Sequence, residues 1–103
     1  MATVYATSKT GGVAHLSAGS FTSDNTITVV ELGFTPRWIK VVNSTDVIIW
    51  EKIEGMAAAN SIKVVTAGTT TVDTGSAITI TENGFSLSAA AVGNAKAISW
   101  VAM

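Results

Sequence analysis

Few side chains in this sequence could carry out catalysis. The single histidine, His15, has no carboxylate or serine at a spacing that would build a catalytic triad or a metal site. Glu51 and Glu54 are three residues apart, a spacing that brings carboxylates together only on a helix, and the surrounding pattern is that of a strand. Asp24 and Asp46 each lack the further oxygen ligands that calcium requires, and turn initiation explains them better. We therefore expect no enzymatic activity, no cofactor and no metal site.

Charged residues are scarce and scattered along the chain. They make up 13% of the sequence, six basic and seven acidic, against about 25% in an ordinary soluble domain. No run of one sign marks a surface for nucleic acid or for anionic lipid, so neither partner is expected. The first ten residues lack a secretion signal, and no apolar run approaches the length of a membrane span.

The length of 103 residues predicts a single domain over residues 1–103, since two cores would each be too small. Apolar residues make up 48% of the chain, which also has fifteen Thr, ten Ser and no Cys. Hydroxyl side chains can cover part of the surface of a sheet, where β-branched Thr is favoured. Another protein can cover the rest.

Alternating apolar residues separated by turns predict an all-β domain, a small antiparallel β-sandwich or jelly roll. Residues 1–25 specify little beyond a weak strand at 2–7, with Gly19 in a loose region. The segment 54–60 is a connection or one helical turn, 68–75 is an edge strand or a loop, and 89–97 allows only a short helix. The predicted strands lie at 27–32, 37–42, 47–53, 62–66 and 98–102.

The clearest local pattern is a hairpin at residues 77–88. Asn83-Gly84 separates two alternating runs and predicts a two-residue type I′ turn, in which Glu82 pairs with Phe85. This hairpin places its apolar residues on one face and its hydroxyl residues on the other.

The strands at 27–32, 37–42 and 47–53 are apolar on both faces. Such strands lie either at the centre of a thick core or against another subunit, and both readings stay open. The second reading predicts a dimer or trimer whose contact includes part of 37–42 or 48–50. The residues that we select as interface candidates are Phe34, Arg37, Trp38, Ile48, Trp50 and Met56. Trp38, Trp50 and Trp100 also permit a small carbohydrate-binding module, although amides and carboxylates near them in the sequence are sparse.

The run GFTPRWIKVVN at 33–43 resembles one found in small virion proteins of tailed bacteriophages. The order of the later segments is similar as well: Glu-Gly-Met at 54–56, then GFSLSAA at 84–90, then a C-terminal strand. The resemblance covers roughly residues 26–103. It implies a capsid cement or decoration protein, a β-sandwich that binds the major capsid protein on the outside of the head as a small oligomer. A tail, neck or baseplate component is the alternative within the same class.

Overall fold

Two β-sheets pack face to face in a computed structural model that describes residues 2–5 and 16–103. The prediction of an all-β sandwich is confirmed. His15 lies outside the described residues. The elements are β1 (Ala2–Tyr5), β2 (Ser17–Asp24), β3 (Thr28–Glu31), β4 (Trp38–Asn43), β5 (Ile48–Ile53), β6 (Ser61–Val64), β7 (Thr70–Asp73), β8 (Ile78–Thr81), β9 (Gly84–Leu87), α1 (Ala89–Val92) and β10 (Asn94–Ala102).

The larger sheet has six strands in the order β2-β10-β4-β5-β6-β7, and every neighbouring pair is antiparallel. The smaller sheet has the order β1-β3-β9-β8, with β1 parallel to β3 and the other pairs antiparallel. Short turns connect β4 to β7 in succession, so these strands are neighbours in the sheet. The strand β10 lies between β2 and β4 and pairs with both of them.

The core lies between the two sheets and is filled by alternate residues of their strands. Ile39, Val41 and Ile98 from the larger sheet are at most 1% exposed. Phe85 of the smaller sheet meets Trp100 of the larger one edge to face, with ring centroids 5.5 Å apart. This contact joins the two sheets in the edge-to-face geometry that aromatic pairs favour over a face-to-face stack.

The predicted hairpin forms from β8 and β9, but the predicted turn is wrong. Thr81 pairs with Gly84, so Glu82 and Asn83 make the turn, and neither residue has a positive φ. The register therefore differs by two residues, which leaves the apolar residues on the inner face as expected. Gly84 is required for a different reason: a Cβ there would overlap the carbonyl oxygen of Val30 in β3.

The N-terminal segment is more regular than the sequence predicts. Gly19, expected in a loose region, lies inside β2, and a Cβ on it would be 2.8 Å from the indole Cζ2 of Trp100. The glycine leaves room for that ring. Sequence reasoning missed β2 because its residues do not alternate between apolar and polar, and its pairing with β10 supplies the order instead.

Lys52 is a buried charged residue, 3% exposed, on the inner side of β5. Its Nζ donates hydrogen bonds to the carbonyl oxygens of Ala57, Ala58 and Asn60 at 2.9, 3.2 and 2.7 Å. Burial lowers the pKa of Lys52 below its ordinary value. The side chain thus holds the connection between β5 and β6, which is irregular as predicted.

Candidate protein interface

The larger sheet turns one side toward the core and the other side away from it, and we call the second side the outer face. Because side chains alternate along a strand, β4 and β5 each contribute every second residue to this face. The outer-face residues of β10, β4, β5 and β6 are Ser99, Val101, Trp38, Lys40, Val42, Ile49, Glu51, Ile53, Ile62 and Val64.

The strand register arranges these side chains in rows across the sheet. In the middle row Val101, Lys40, Glu51, Ile62 and Val72 are successive partners from β10 to β7. The row that follows runs Ser99, Val42, Ile49, Val64 and Thr70. The outer face is therefore a largely apolar surface that carries one pair of opposite charges near its centre.

Most of the apolar side chains on the outer face remain accessible. Val42, Ile49 and Val64 are half-buried, and Ile53 and Val72 are 51% and 55% exposed. No strand or helix of the described residues packs over this face, and a shallow groove of about 170 Å³ runs between Val42, Val101 and their neighbours. Contiguous exposed apolar surface of this kind usually marks a protein contact.

The two charges of the outer face have different surroundings. Glu51 accepts a hydrogen bond of 2.6 Å from the Nε1 of Trp38, which fixes the indole against the neighbouring strand. Lys40 is half-buried, yet its amine has no ion-pair or hydrogen-bond partner among residues 16–103. A lysine that is partly removed from water beside apolar residues benefits from an anionic partner.

One end of the outer face is polar. Arg37 and Glu54 are both highly exposed and lie 3.7 Å apart, a surface ion pair that adds little to stability. Met56 is half-buried beside them, and its Sδ accepts a hydrogen bond of 3.4 Å from the backbone of Ile53. The main chain of Met103 pairs with that of Trp38, which extends β10 along β4 at this end.

The outward side of the smaller sheet is different in character. Thr79 of β8 pairs with Ser86 of β9, and Ser86 pairs with Val29 of β3. Thr79 and Thr81 are exposed, as the hairpin pattern predicts. A hydroxyl-covered side of a sheet is readily solvated, so the molecule has one outward side suited to water and one suited to protein.

The structure divides the six interface candidates into two groups. Arg37, Trp38 and Met56 lie at the surface, whereas Phe34 and Trp50 are 8% and 4% exposed and belong to the core. Ile48 also packs against the core, because it lies on the inner side of β5. Phe34 and Trp50 are therefore buried in the single chain, and Ile48 is half-buried against its core. Lys40, Val42 and Ile49 lie within the predicted contact ranges but were not selected individually. The outer-face residues outside those ranges are Glu51, Ile62, Val64, Val72 and Val101.

The signal for the missed residues was present in part. The predicted strands at 37–42 and 47–53 show a second apolar side, but which side faces outward follows from the sheet order and not from the strands themselves. The segments at 62–64 and 70–73 look too short or too polar to extend the face. Only their pairing with β5 places Ile62, Val64 and Val72 beside Ile49 and Glu51.

The tryptophans offer no open ring for stacking a sugar, apart from the half-buried Trp38. Trp50 and Trp100 are 4% and 3% exposed, and their Nε1 atoms have no hydrogen-bond partner among the described residues. The amine of Lys63 lies 5.6 Å from the ring centroid of Trp50, at the edge of a cavity of about 150 Å³. These rings are parts of the core.

The acidic side chains of the turns are engaged locally. Asp24 accepts a hydrogen bond from Thr26, which lowers the pKa of Asp24. Asp46 pairs with Lys96 at 3.2 Å and accepts a hydrogen bond from Asn43. Within residues 2–5 and 16–103, no three His, Cys, Asp or Glu residues lie together as metal ligands would. The same part of the chain has no helix of the length and apolar character that a membrane crossing needs.

Comparison with known proteins leaves the outer face as the main guide to function. No family model, curated protein sequence or solved structure matches the chain.

Proposed function

We propose that this protein is a non-enzymatic structural protein of a phage virion, a capsid cement or decoration protein that stabilises joints between capsomers. It acts through protein contacts, with the major capsid protein as its partner on the head and a second copy of itself in the assembled unit. The observation that carries the proposal is the outer face of the larger sheet, which is apolar, accessible and not covered by any described element.

The contrast between the two outward sides supports a contact function. The hydroxyl side of the smaller sheet resembles the solvated side of an ordinary antiparallel sheet. The outer face instead exposes Ile53 and Val72 by more than half, and a protein contact would remove this apolar surface from water. A domain with this polarity is suited to bury one side against another protein chain and to face water on the other.

The virion setting is supported by the resemblance of residues 33–43, 54–56 and 84–90 to small phage proteins. In the fold, Arg37 and Glu54 form an ion pair, and the backbone N–H of Glu54 donates a hydrogen bond of 2.7 Å to the carbonyl oxygen of Arg37, so the first two segments meet at one end of β4 and β5. A cement protein adds contacts that must break before a shell filled with DNA can open. Modest contacts suffice, because bridging two capsomers already held together makes the second contact effectively intramolecular.

Mass spectrometry of purified virions tests this function through copy number. We expect the protein in hundreds of copies per particle, in a fixed ratio to the major capsid protein, as a protein on the capsid lattice requires. Its absence from virions would contradict the proposal. A small number of copies, enough for a single ring and recovered with isolated tails, would instead favour a tail, neck or baseplate component.

A further inference from the structure

We propose that the outer face binds a second copy of this chain in a two-fold, face-to-face dimer, with Lys40 of each copy opposite Glu51 of the other. The inference deepens the proposed function, on which it rests for its biological setting, by naming the occupant of the outer face. It follows from where the two charges lie in the sheet.

The charge pair lies at the centre of the six-stranded sheet. The strand order β2-β10-β4-β5-β6-β7 places three strands on each side of the boundary between β4 and β5. Lys40 and Glu51 are direct cross-strand partners on either side of that boundary. Consider a two-fold axis that runs parallel to the strands along this boundary and lies in the plane between the two copies. This axis would lay β4 of one copy over β5 of the other, and all six strands of the two sheets would overlap.

The same axis lays each row of the outer face over the same row of the second copy, in the reverse strand order. Lys40 lies over Glu51, and Glu51 over Lys40, so two opposite-charge contacts form by symmetry. On the flanks of that row Val101 lies over Ile62. In the next row Val42 lies over Ile49. In these rows apolar residues meet apolar residues except where Ser99 lies over Val64, and Lys40, which has no partner among the residues described in one chain, gains a carboxylate.

The outer face is large enough for a dimer. Six strands span about 24 Å from first to last, and the six residues of β4 and of β5 are about 20 Å long. The flat area of the outer face is therefore roughly 500 Å². The accessible surface of its side chains is larger than this flat area, which brings it near the ~800 Å² that each partner buries in a standard interface. Two packed sheets with aligned strands are also a common arrangement in proteins.

Sedimentation velocity on charge variants tests the dimer. Lys40→Glu places only acids at the centre of the face, and Glu51→Lys places only bases there. Each variant alone should dimerise at least about 30-fold more weakly than the wild type, because a desolvated charge pair becomes a repulsion at two symmetric positions. An equimolar mixture of the two variants should form heterodimers, since every acid then meets a base.

Thr79→Glu is the matched control, because it adds a charge to the hydroxyl side and should leave the dimer intact. Circular dichroism verifies that each variant is folded. A wild-type chain that stays monomeric at micromolar concentrations, or a trimer, would overturn the inference, and so would a mixture that fails to associate more tightly than its components. A monomer that still strengthens phage heads would refute the dimer alone, whereas a dimer absent from virions would refute the proposed function alone.

Discussion

Gly84 is important to the hairpin, as the sequence predicts, but the structure gives a different physical reason for it. The pair Asn83-Gly84 predicts a turn in which both residues have positive φ, yet the turn lies one residue earlier, at Glu82-Asn83. The carbonyl oxygen of Asn83 accepts hydrogen bonds from the backbone N–H groups of Leu32 and Gly33 at 2.6 and 3.1 Å. The segment after β3 therefore decides the turn, and this distant contact is invisible in the local sequence.

We expect Gly84→Ala to lower the free energy of unfolding by about 2–4 kcal/mol, because its Cβ would overlap the carbonyl oxygen of Val30 and push β9 away from β3. Thr81→Val, at an exposed position in the same hairpin, should change it by less than about 0.5 kcal/mol. Urea denaturation measures both. Similar midpoints for Gly84→Ala and the wild type would contradict the close approach of the two strands.

At the scale of elements, the sequence predicts strands well where apolar and polar residues alternate. It predicts them poorly where a strand forms only because it pairs with a distant strand. The strands β3, β4, β5 and β10 are each found within a few residues of the predicted bounds, although β10 begins earlier, at Asn94. β2 was missed because its residues carry no alternation, and β7 stayed undecided because it is rich in Thr. In the structure β7 is an edge strand, and the strand order that places it at the edge depends on contacts between distant segments.

The connection between β5 and β6 depends on Lys52, and its stability should depend on pH. Burial lowers the pKa of Lys52 below the ordinary value of 10.5, so the folded chain binds fewer protons than the unfolded chain between the two values. The unfolding free energy of the wild type should therefore rise with pH across that window, up to about pH 10.5. Lys52→Met should lack this rise and should be about 1–3 kcal/mol less stable at neutral pH, because three carbonyl oxygens lose their donor.

Denaturation at a series of pH values compares the wild type with Lys52→Met. Lys63→Met, on the neighbouring strand, serves as the control at neutral pH, since the amine of Lys63 donates no hydrogen bond to the described residues. Equal stability of Lys52→Met and the wild type at neutral pH would contradict the assigned hydrogen bonds. Parallel pH curves for the two would contradict the effect of burial on the pKa of Lys52.

At the scale of the whole molecule, the polarity of the sandwich connects the fold to its proposed role. The sequence reveals strands that are apolar on both sides, and it leaves open whether the second side belongs to a core or to an interface. The order of the six strands shows that the second apolar sides of β4 and β5 do not lie in the core of this chain. They belong to one outer face that no described element covers. Of the six interface candidates, Ile48 and Trp50 lie on the inner side of β5, because the sequence does not show which of its two apolar sides faces the core, and Phe34 is buried after β3.

The most direct test of the outer face is an add-back experiment on phage heads that lack the protein. Such heads should assemble with normal shape but lose DNA at lower temperature or under osmotic shock, and purified wild-type protein should restore their resistance. Thr79→Glu, on the hydroxyl side, should restore it equally. Val42→Glu, which places a charge in the apolar rows of the outer face, should fold but fail to restore resistance. Restoration by Val42→Glu, or heads that are equally resistant without the protein, would contradict the account.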